Sequence, residues 1–238
     1  MDGELHVQYQ FKKDPKSLPN NRATAVKIAE KLEQRLMKEG QREYYNQEFR
    51  KYLDRGAALK LSQEELDSYQ GPINYISHHG VEQNSVTTPL RIVSNSSLKN
   101  GGKSLNDCLI TGPNSLNSMF DCMLRFRCHE CALVFDLTKA YNQLKTGLVE
   151  RHLRRRIWRF YPDEPWMDFA FDCVAFGECP AGNFLEIGRN LTAEVNKHHD
   201  PIASGKVARD TYVDNGVTGG SKARPRVDQI SVYCSSSW

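Results

Sequence analysis

Two aspartates stand in surroundings that suit metal-assisted phosphoryl chemistry. Asp136 closes the apolar run Ala132-Leu-Val-Phe135, and Asp214 lies inside Thr211-Tyr-Val-Asp-Asn-Gly-Val-Thr218. The first run has the length and composition of a buried strand, so its acid falls at a strand end. The second has the form of a β-hairpin, because Asn-Gly tolerates the positive φ angles of a tight turn, and this puts Asp214 at the tip. Carboxylate oxygens suit hard Mg²⁺, which keeps positions open for substrate phosphates, and two such ions can clamp the attacking and leaving oxygens of an in-line displacement. Spacing along the chain does not by itself bring the two acids together, and taken alone each also fits a solvated turn or capping residue.

Two further groups carry chemical potential. Arg151, His152, Arg154, Arg155, Arg156 and Arg159 fall within nine residues that contain no acid, with Trp158 and Phe160 interleaved. That pattern fits a phosphate-facing strip for nucleic acid, and equally a solvated helix face whose arginines pair with acids elsewhere. Cys122, Cys128, His129 and Cys131 match no standard zinc finger spacing, and the reading they favour is buried free thiols.

The elements that must position these groups alternate between helical and strand patterns. Residues 1–19 read as an extended arm closing on Lys16-Ser-Leu-Pro19. Asn20 or Asn21 then caps a helix carrying Ala25, Ile28, Ala29, Leu32 and Leu36, with Gly40 as its stop. A second helix presents Tyr45, Phe49, Tyr52 and Leu53 and ends near Gly56, so the two form a helical hairpin. Ser62 and Glu65 fit a capping box opening a short third helix. Residues 71–102 suggest hairpins and loops around Leu90-Arg-Ile-Val93. Residues 115–127 read as helical through Leu116, Met119, Phe120, Met123 and Leu124, residues 169–176 as a strand, and residues 184–197 as a helix. The sum is an α+β fold without an internal repeat.

Phe135-Asp-Leu-Thr-Lys-Ala-Tyr141 and Tyr212-Val-Asp-Asn215 resemble the two metal-binding motifs of reverse transcriptases, in the same order. Leu18-Pro-Asn-Asn-Arg22, His78-His79, Lys103-Ser-Leu-Asn-Asp-Cys-Leu-Ile-Thr-Gly-Pro113 and Ile157-Trp-Arg159 narrow the resemblance to the Pao (BEL/Pao) class of LTR retrotransposons, over about residues 8 to 222. The resemblance implies right-hand polymerase fingers and palm over 70–222, preceded by an arm and helical region over 1–69 and followed by a non-matching tail over 223–238, with no thumb. It implies a fragment of a larger polyprotein.

The same resemblance implies roles for particular residues. Asp136 and Asp214 would be the catalytic carboxylates and, with the Leu137 carbonyl, the ligands of two Mg²⁺ ions. Tyr141 would be the aromatic gate beneath the incoming sugar, although its position also suits a core tyrosine. Arg91 would contact the triphosphate, where a guanidinium fork matches phosphate oxygens, or else be an edge-strand surface arginine. Phe176-Gly177 would line the nucleotide pocket, or simply end a strand. The implied activity is RNA-directed DNA synthesis on an RNA or DNA template with a primer and deoxynucleoside triphosphates. Asn215 departs from the family pattern, which has a second aspartate there, and Ser94 and Asn95 replace an aromatic and an acid. The other expectation is therefore an inactive remnant that at most binds nucleic acid through Arg151 to Arg159.

Bulk properties bound these readings. A chain of 238 residues with 39% hydrophobic and 26% charged residues can bury a substantial core and is not of disordered composition. Lys and Arg total 32 against 29 acids, and the resulting net charge of +3 is too small to demand a polyanion partner. Seven irregularly spaced cysteines, and no apolar run resembling a secretory signal or spanning a bilayer, predict a reduced, intracellular, cytoplasmic protein without a membrane partner.

Overall fold

The computed structural model describes residues 4–82 and 90–220. In chain order the elements are β1 (Leu5–Val7), α1 (Arg22–Lys38), α2 (Arg42–Asp54), β2 (Ala58–Lys60), α3 (Gln63–Ser68), β3 (Ser77–Glu82), β4 (Leu90–Asn95), α4 (Met119–Arg127), β5 (Cys131–Asp136), β6 (Leu144–Thr146), α5 (Leu148–Leu153), β7 (Arg156–Trp158), β8 (Met167–Phe171), α6 (Ala181–Val195), α7 (Pro201–Arg209), β9 (Thr211–Tyr212) and β10 (Asn215–Gly220). This is a mixed α+β fold with several small sheets. No helix among the described residues is long and apolar enough to cross a membrane.

The described residues divide into two compact units, one built from residues 7–82 and 90–110 with Lys145–Cys179, the other from residues 4–6, Thr111–Leu144 and residues 180–220. The boundary expected at residues 69 and 70 thus falls inside the larger unit, and the expected tail over 223–238 lies outside the described residues.

In the larger unit the apolar stripes expected of α1 and α2 pack as the spacing dictates. Leu32, Leu36, Tyr45 and Phe49 join Ala58, Leu90, Ile92, Trp158, Phe169 and Phe171 in one core. Gly40 and Gly56 follow the two helices with φ of +67° and +64°, conformations that glycine adopts without steric cost. β2, β8 and β7 form an antiparallel sheet in the order β2-β8-β7, and β3 pairs with β4 in a hairpin whose connecting residues 83–89 lie outside the description. The capping box is present: Ser62 Oγ accepts from the Glu65 N–H at 3.1 Å and Glu65 returns to the Ser62 N–H at 3.0 Å. Asn21 precedes α1 but does not cap it with its side chain. Its amide instead donates to the Tyr75 carbonyl at 2.8 Å and accepts from the Tyr75 N–H at 2.6 Å, tying the loop before β3 to the start of α1.

The smaller unit departs further from expectation. The helix expected over 115–127 begins at Met119, because the Ser118 hydroxyl accepts from the Asp121 N–H and caps it there. Its apolar residues do not form a buried stripe: Phe120 is 70% exposed and Met119, Met123 and Leu124 are also exposed, while Cys122 is buried. β5 is not a buried strand either. It is the edge of the sheet β5-β10-β9 and alternates half-buried with exposed residues, Val134 being 65% exposed. α7 was not foreseen, although Asp200 followed by Pro201 is a helix start; the Asp200 carboxylate accepts from the N–H groups of Ile202 and Ala203 at 3.0 and 2.9 Å.

One buried histidine of the larger unit gives its stability a pH dependence. His78 Nε2 lies 3.0 Å from the Ile157 carbonyl, which can only accept, so Nε2 carries the proton and Nδ1 accepts from the Tyr45 hydroxyl. Burial, reinforced by the Arg156 charge, lowers its pKa to about 3. The unfolded chain binds this proton near pH 6.5, so stability is complete above that pH. It then falls toward pH 3 by at most about 1.4 kcal/mol per pH unit. Urea midpoints are expected to drop between pH 7 and pH 4.5 while the His78 ring resonances stay unprotonated; a His78 titration near pH 6.5 in the folded protein refutes this.

Candidate active site

The two aspartates are brought to one end of the sheet in the smaller unit by strand pairing. β10 runs antiparallel to β5 with Asn215 opposite Asp136, Gly216 opposite Phe135 and Val217 opposite Val134. The Leu137 N–H donates to the Asp214 carbonyl at 2.8 Å, carrying the register one residue past the strand end. Asp136 is exposed and Asp214 half-buried.

The hairpin tip is built differently from the sequence expectation. Tyr212 pairs with Asn215, so the loop is Val213-Asp214 and Asn-Gly lies in β10. The positive φ, +57°, belongs to Val213, the first loop residue, as a type II′ turn requires. Gly216 serves another purpose: the end of the Phe135 ring lies where its Cβ would be, so a side chain there would have to displace the ring. A β-branched residue in the left-handed region is strained by about 1–2 kcal/mol. Among the described residues the non-glycine positions with such φ are Val213 and Lys139, at +54°, one residue before Asp214 and three after Asp136. Strain of this kind gathers at functional sites.

Asp210, which the sequence reading missed, anchors the base of the hairpin. It is fully buried and receives Arg125 Nε at 2.8 Å, Arg209 Nε at 2.9 Å and the Thr218 hydroxyl at 2.7 Å. Burial pushes its pKa up, but these hydrogen bonds outweigh it and hold the carboxyl below its ordinary range. Its own carbonyl accepts from the Val217 N–H at 2.9 Å.

Around the acid pair, Tyr141 is buried at the start of the turn Ala140–Gln143, and burial together with the nearby Asp214 charge raises the pKa of its hydroxyl. Asn215 Nδ2 donates to Asp214 Oδ1 at 2.8 Å. The Leu137 carbonyl accepts from the Ala140 N–H at 3.2 Å, which leaves one of its lone pairs. Two carboxylates and one carbonyl are hard oxygen donors that fit one Mg²⁺ with open positions. Among the described residues no group of three or more His, Cys, Asp or Glu is placed to hold a metal, which covers the Cys122, Cys128, His129 and Cys131 stretch as well. Cys108, Cys122 and Cys173 are buried and outside any disulfide, whereas Cys128 is exposed.

In the larger unit the remaining nucleotide-binding candidates form a second group. The Arg91 guanidinium of β4 lies 6.0 Å from the centre of the Phe176 ring, which is 47% exposed. Gly177 has φ of +93°, and a Cβ there would stand 3.0 Å from the Ser94 carbonyl oxygen. Gly177 thus holds a conformation and a closeness to β4 that other residues strain to reach.

The arginine strip is not a continuous phosphate-facing surface. It spans α5 and β7, and Arg154, Arg155 and Arg156 are buried. Arg154, 1% exposed, donates to the carbonyls of Glu150 and Cys173 and to the Thr146 hydroxyl, with Glu178 Oε1 3.7 Å away. Arg155 donates to His152 Nδ1 and the Tyr75 hydroxyl. Arg156 lies 3.5 Å above the centre of the Phe171 ring. Arg151 pairs with Asp172, and Arg159 with Glu33 at 2.6 Å beneath the Trp166 ring. These cations hold the larger unit together. Arg154→Ala is expected to destabilise it by about 3–5 kcal/mol, because Glu178 is left buried without its counter-charge. Chemical denaturation measures this; unchanged stability with weakened nucleic-acid binding would restore the strip to the surface.

Among families of known proteins no family model matches the chain, and no curated protein matches it.

Proposed function

We propose that the chain carries the fingers and palm of a reverse-transcriptase-type RNA-directed DNA polymerase. The observation that carries the reading is the pairing of β5 with β10. Two motifs separated by seventy residues of sequence meet with Asn215 opposite Asp136 and the Leu137 N–H on the Asp214 carbonyl. The order and content of those motifs, Phe135-Asp-Leu-Thr-Lys-Ala-Tyr141 and Tyr212-Val-Asp-Asn215, support the same reading.

In the proposed reaction the 3′-hydroxyl oxygen of a primer attacks the α-phosphorus of a deoxynucleoside triphosphate. A P–O bond forms, the bond to the bridging oxygen breaks, and pyrophosphate leaves. Asp136 and Asp214, with the Leu137 carbonyl, would hold Mg²⁺, which when bound supplies charge stabilisation for the phosphoryl oxygens. Tyr141, buried and close enough to feel the Asp214 charge, would supply the ring that excludes a ribose 2′-hydroxyl. Arg91 offers a guanidinium to phosphate oxygens, and Phe176 with Gly177 offers a ring face and an accessible backbone.

A second reading, a palm that has lost activity, is favoured by Asn215. Its amide replaces a carboxylate and donates to Asp214 Oδ1, so the site carries less negative charge with which to attract a cation. Primer extension in Mg²⁺ separates the two. Wild-type protein is expected to extend a primer on an RNA template, and Asp136→Ala to lose about a hundredfold or more, as removal of several kcal/mol of charge stabilisation demands. Absence of metal-dependent extension by wild type discards the active polymerase.

A further inference from the structure

Asn106 lies in the larger unit between two segments that no helix or strand joins. Its Nδ2 donates to the Ser97 hydroxyl and to the Gly177 carbonyl, each at 2.8 Å, and its Oδ1 accepts from the Cys179 N–H at 3.0 Å. Its own N–H donates to the Ser96 carbonyl at 3.1 Å, so the residue itself is fastened to the segment that follows β4. One side chain thereby spans residues 177 to 179 and ties them to the β4 side.

From within the core, Glu178 holds the same loop. It is buried, its Oε2 accepts from the Tyr9 hydroxyl and from the Ala175 N–H at 3.4 Å, and its Oε1 is 3.7 Å from Arg154. Tyr9 is buried too, and its N–H donates to Glu150 Oε1 at 3.0 Å. Burial raises the Tyr9 pKa well above its ordinary value, so the hydroxyl remains a donor.

Between these two clamps the loop displays an exposed Phe176 ring beside Arg91, and a Gly177 backbone held at φ of +93°. A loop of this composition, left free, would have to be ordered on binding, and ordering subtracts from affinity. We infer that Asn106 and Glu178 are positioning residues, which fix residues 175–179 in the shape that presents Phe176 and Gly177, beside Arg91, to an incoming deoxynucleoside triphosphate. The inference rests on the polymerase reading for the identity of the ligand. Neither residue touches the ligand; both act through the loop.

Two substitutions remove one clamp each with little change of volume. Asn106→Asp replaces the donor Nδ2 by an oxygen that faces the Gly177 carbonyl, while retaining the acceptor for Cys179. Tyr9→Phe removes the donor to Glu178. Both are to be compared with wild type for binding of each of the four deoxynucleoside triphosphates in Mg²⁺ by calorimetry. Hydrogen exchange of a peptide covering residues 174–179 and thermal melting complete the comparison. The expected result is faster exchange in that peptide and about a tenfold loss of triphosphate affinity, the equivalent of one to two hydrogen bonds, with the melting temperature little changed. A variant that binds triphosphate and exchanges as wild type does overturns the inference and leaves the polymerase reading intact. Faster exchange with unchanged affinity also overturns it, since the loop then takes no part in binding. If wild type binds none of the four triphosphates, the polymerase reading fails and the inference falls with it. Should Asn106→Asp not fold, Tyr9→Phe decides by the same criteria.

Discussion

The Phe135 ring lying across Gly216 is the contact on which the proposed site depends. Side chains alternate along a strand, so a slip of one residue between β5 and β10 would send Asp136 and its neighbours to the opposite face. A side chain at position 216 would have to displace the ring, and a Cβ at Gly219 would run into the Cys131 carbonyl. Two glycines, three residues apart, therefore favour the register that sets Asn215 against Asp136. Glycine in a strand weakens it, by roughly 0.5–1 kcal/mol relative to alanine. The cost is offset at the other end of the hairpin, where Asp210 gathers Arg125, Arg209 and Thr218 and accepts the Val217 N–H.

The same arrangement explains why strain is tolerated beside both acids. A two-residue loop joining β9 to β10 requires a positive φ at its first position, and with the register fixed by Gly216 that position is Val213. Moving the turn onto Asn-Gly would relieve Val213 but take Asn215 and Gly216 out of β10, where they pair with Asp136 and Phe135. Packing thus overrules local preference. Lys139, likewise left-handed, sits where the chain leaves β5 and enters the turn carrying Tyr141. Both strained residues lie in the short links that connect an acid to its supporting element.

Where one face of an element meets the core, the sequence was readable. The stripes of α1 and α2, the Ser62–Glu65 box, the strand ending at Asp136 and the tip position of Asp214 all follow from period, capping chemistry or strand length. Reading failed where long-range partners decide. The buried guanidiniums of Arg154 and Arg156 look like surface residues in sequence, because the groups that accept them, Cys173, Thr146 and the Phe171 ring, lie elsewhere in the chain. Asn-Gly signalled a turn two residues from its true place, since nothing local reveals that Phe135 occupies the space beside Gly216. Met119, Phe120, Met123 and Leu124 have a core-like spacing and are nevertheless exposed, so periodicity located α4 without identifying what it faces. Asp210 carried no motif, and Asn106, inside Lys103–Pro113, carried no assigned role; the importance of both lies in the hydrogen bonds they make across the chain.

Asn215 ties the stability of this sheet end to its chemistry. It stands directly across from Asp136 in an antiparallel pair, a position at which like charges are destabilising by about 0.2–1 kcal/mol. A carboxylate at 215 would oppose Asp136 across the strands and adjoin Asp214 along the chain, three acids that only a cation could reconcile. The amide removes that repulsion, and by donating to Asp214 Oδ1 it fixes the orientation of one carboxylate. Held in this way, the sheet end needs no cation to relieve repulsion between positions 136 and 215. The same bond occupies a lone pair that a cation would use, so whatever the substitution adds to the metal-free fold it takes from the attraction of Mg²⁺. The residue that makes the hairpin tip self-sufficient is therefore also the one that weakens its affinity for the ion it is proposed to hold.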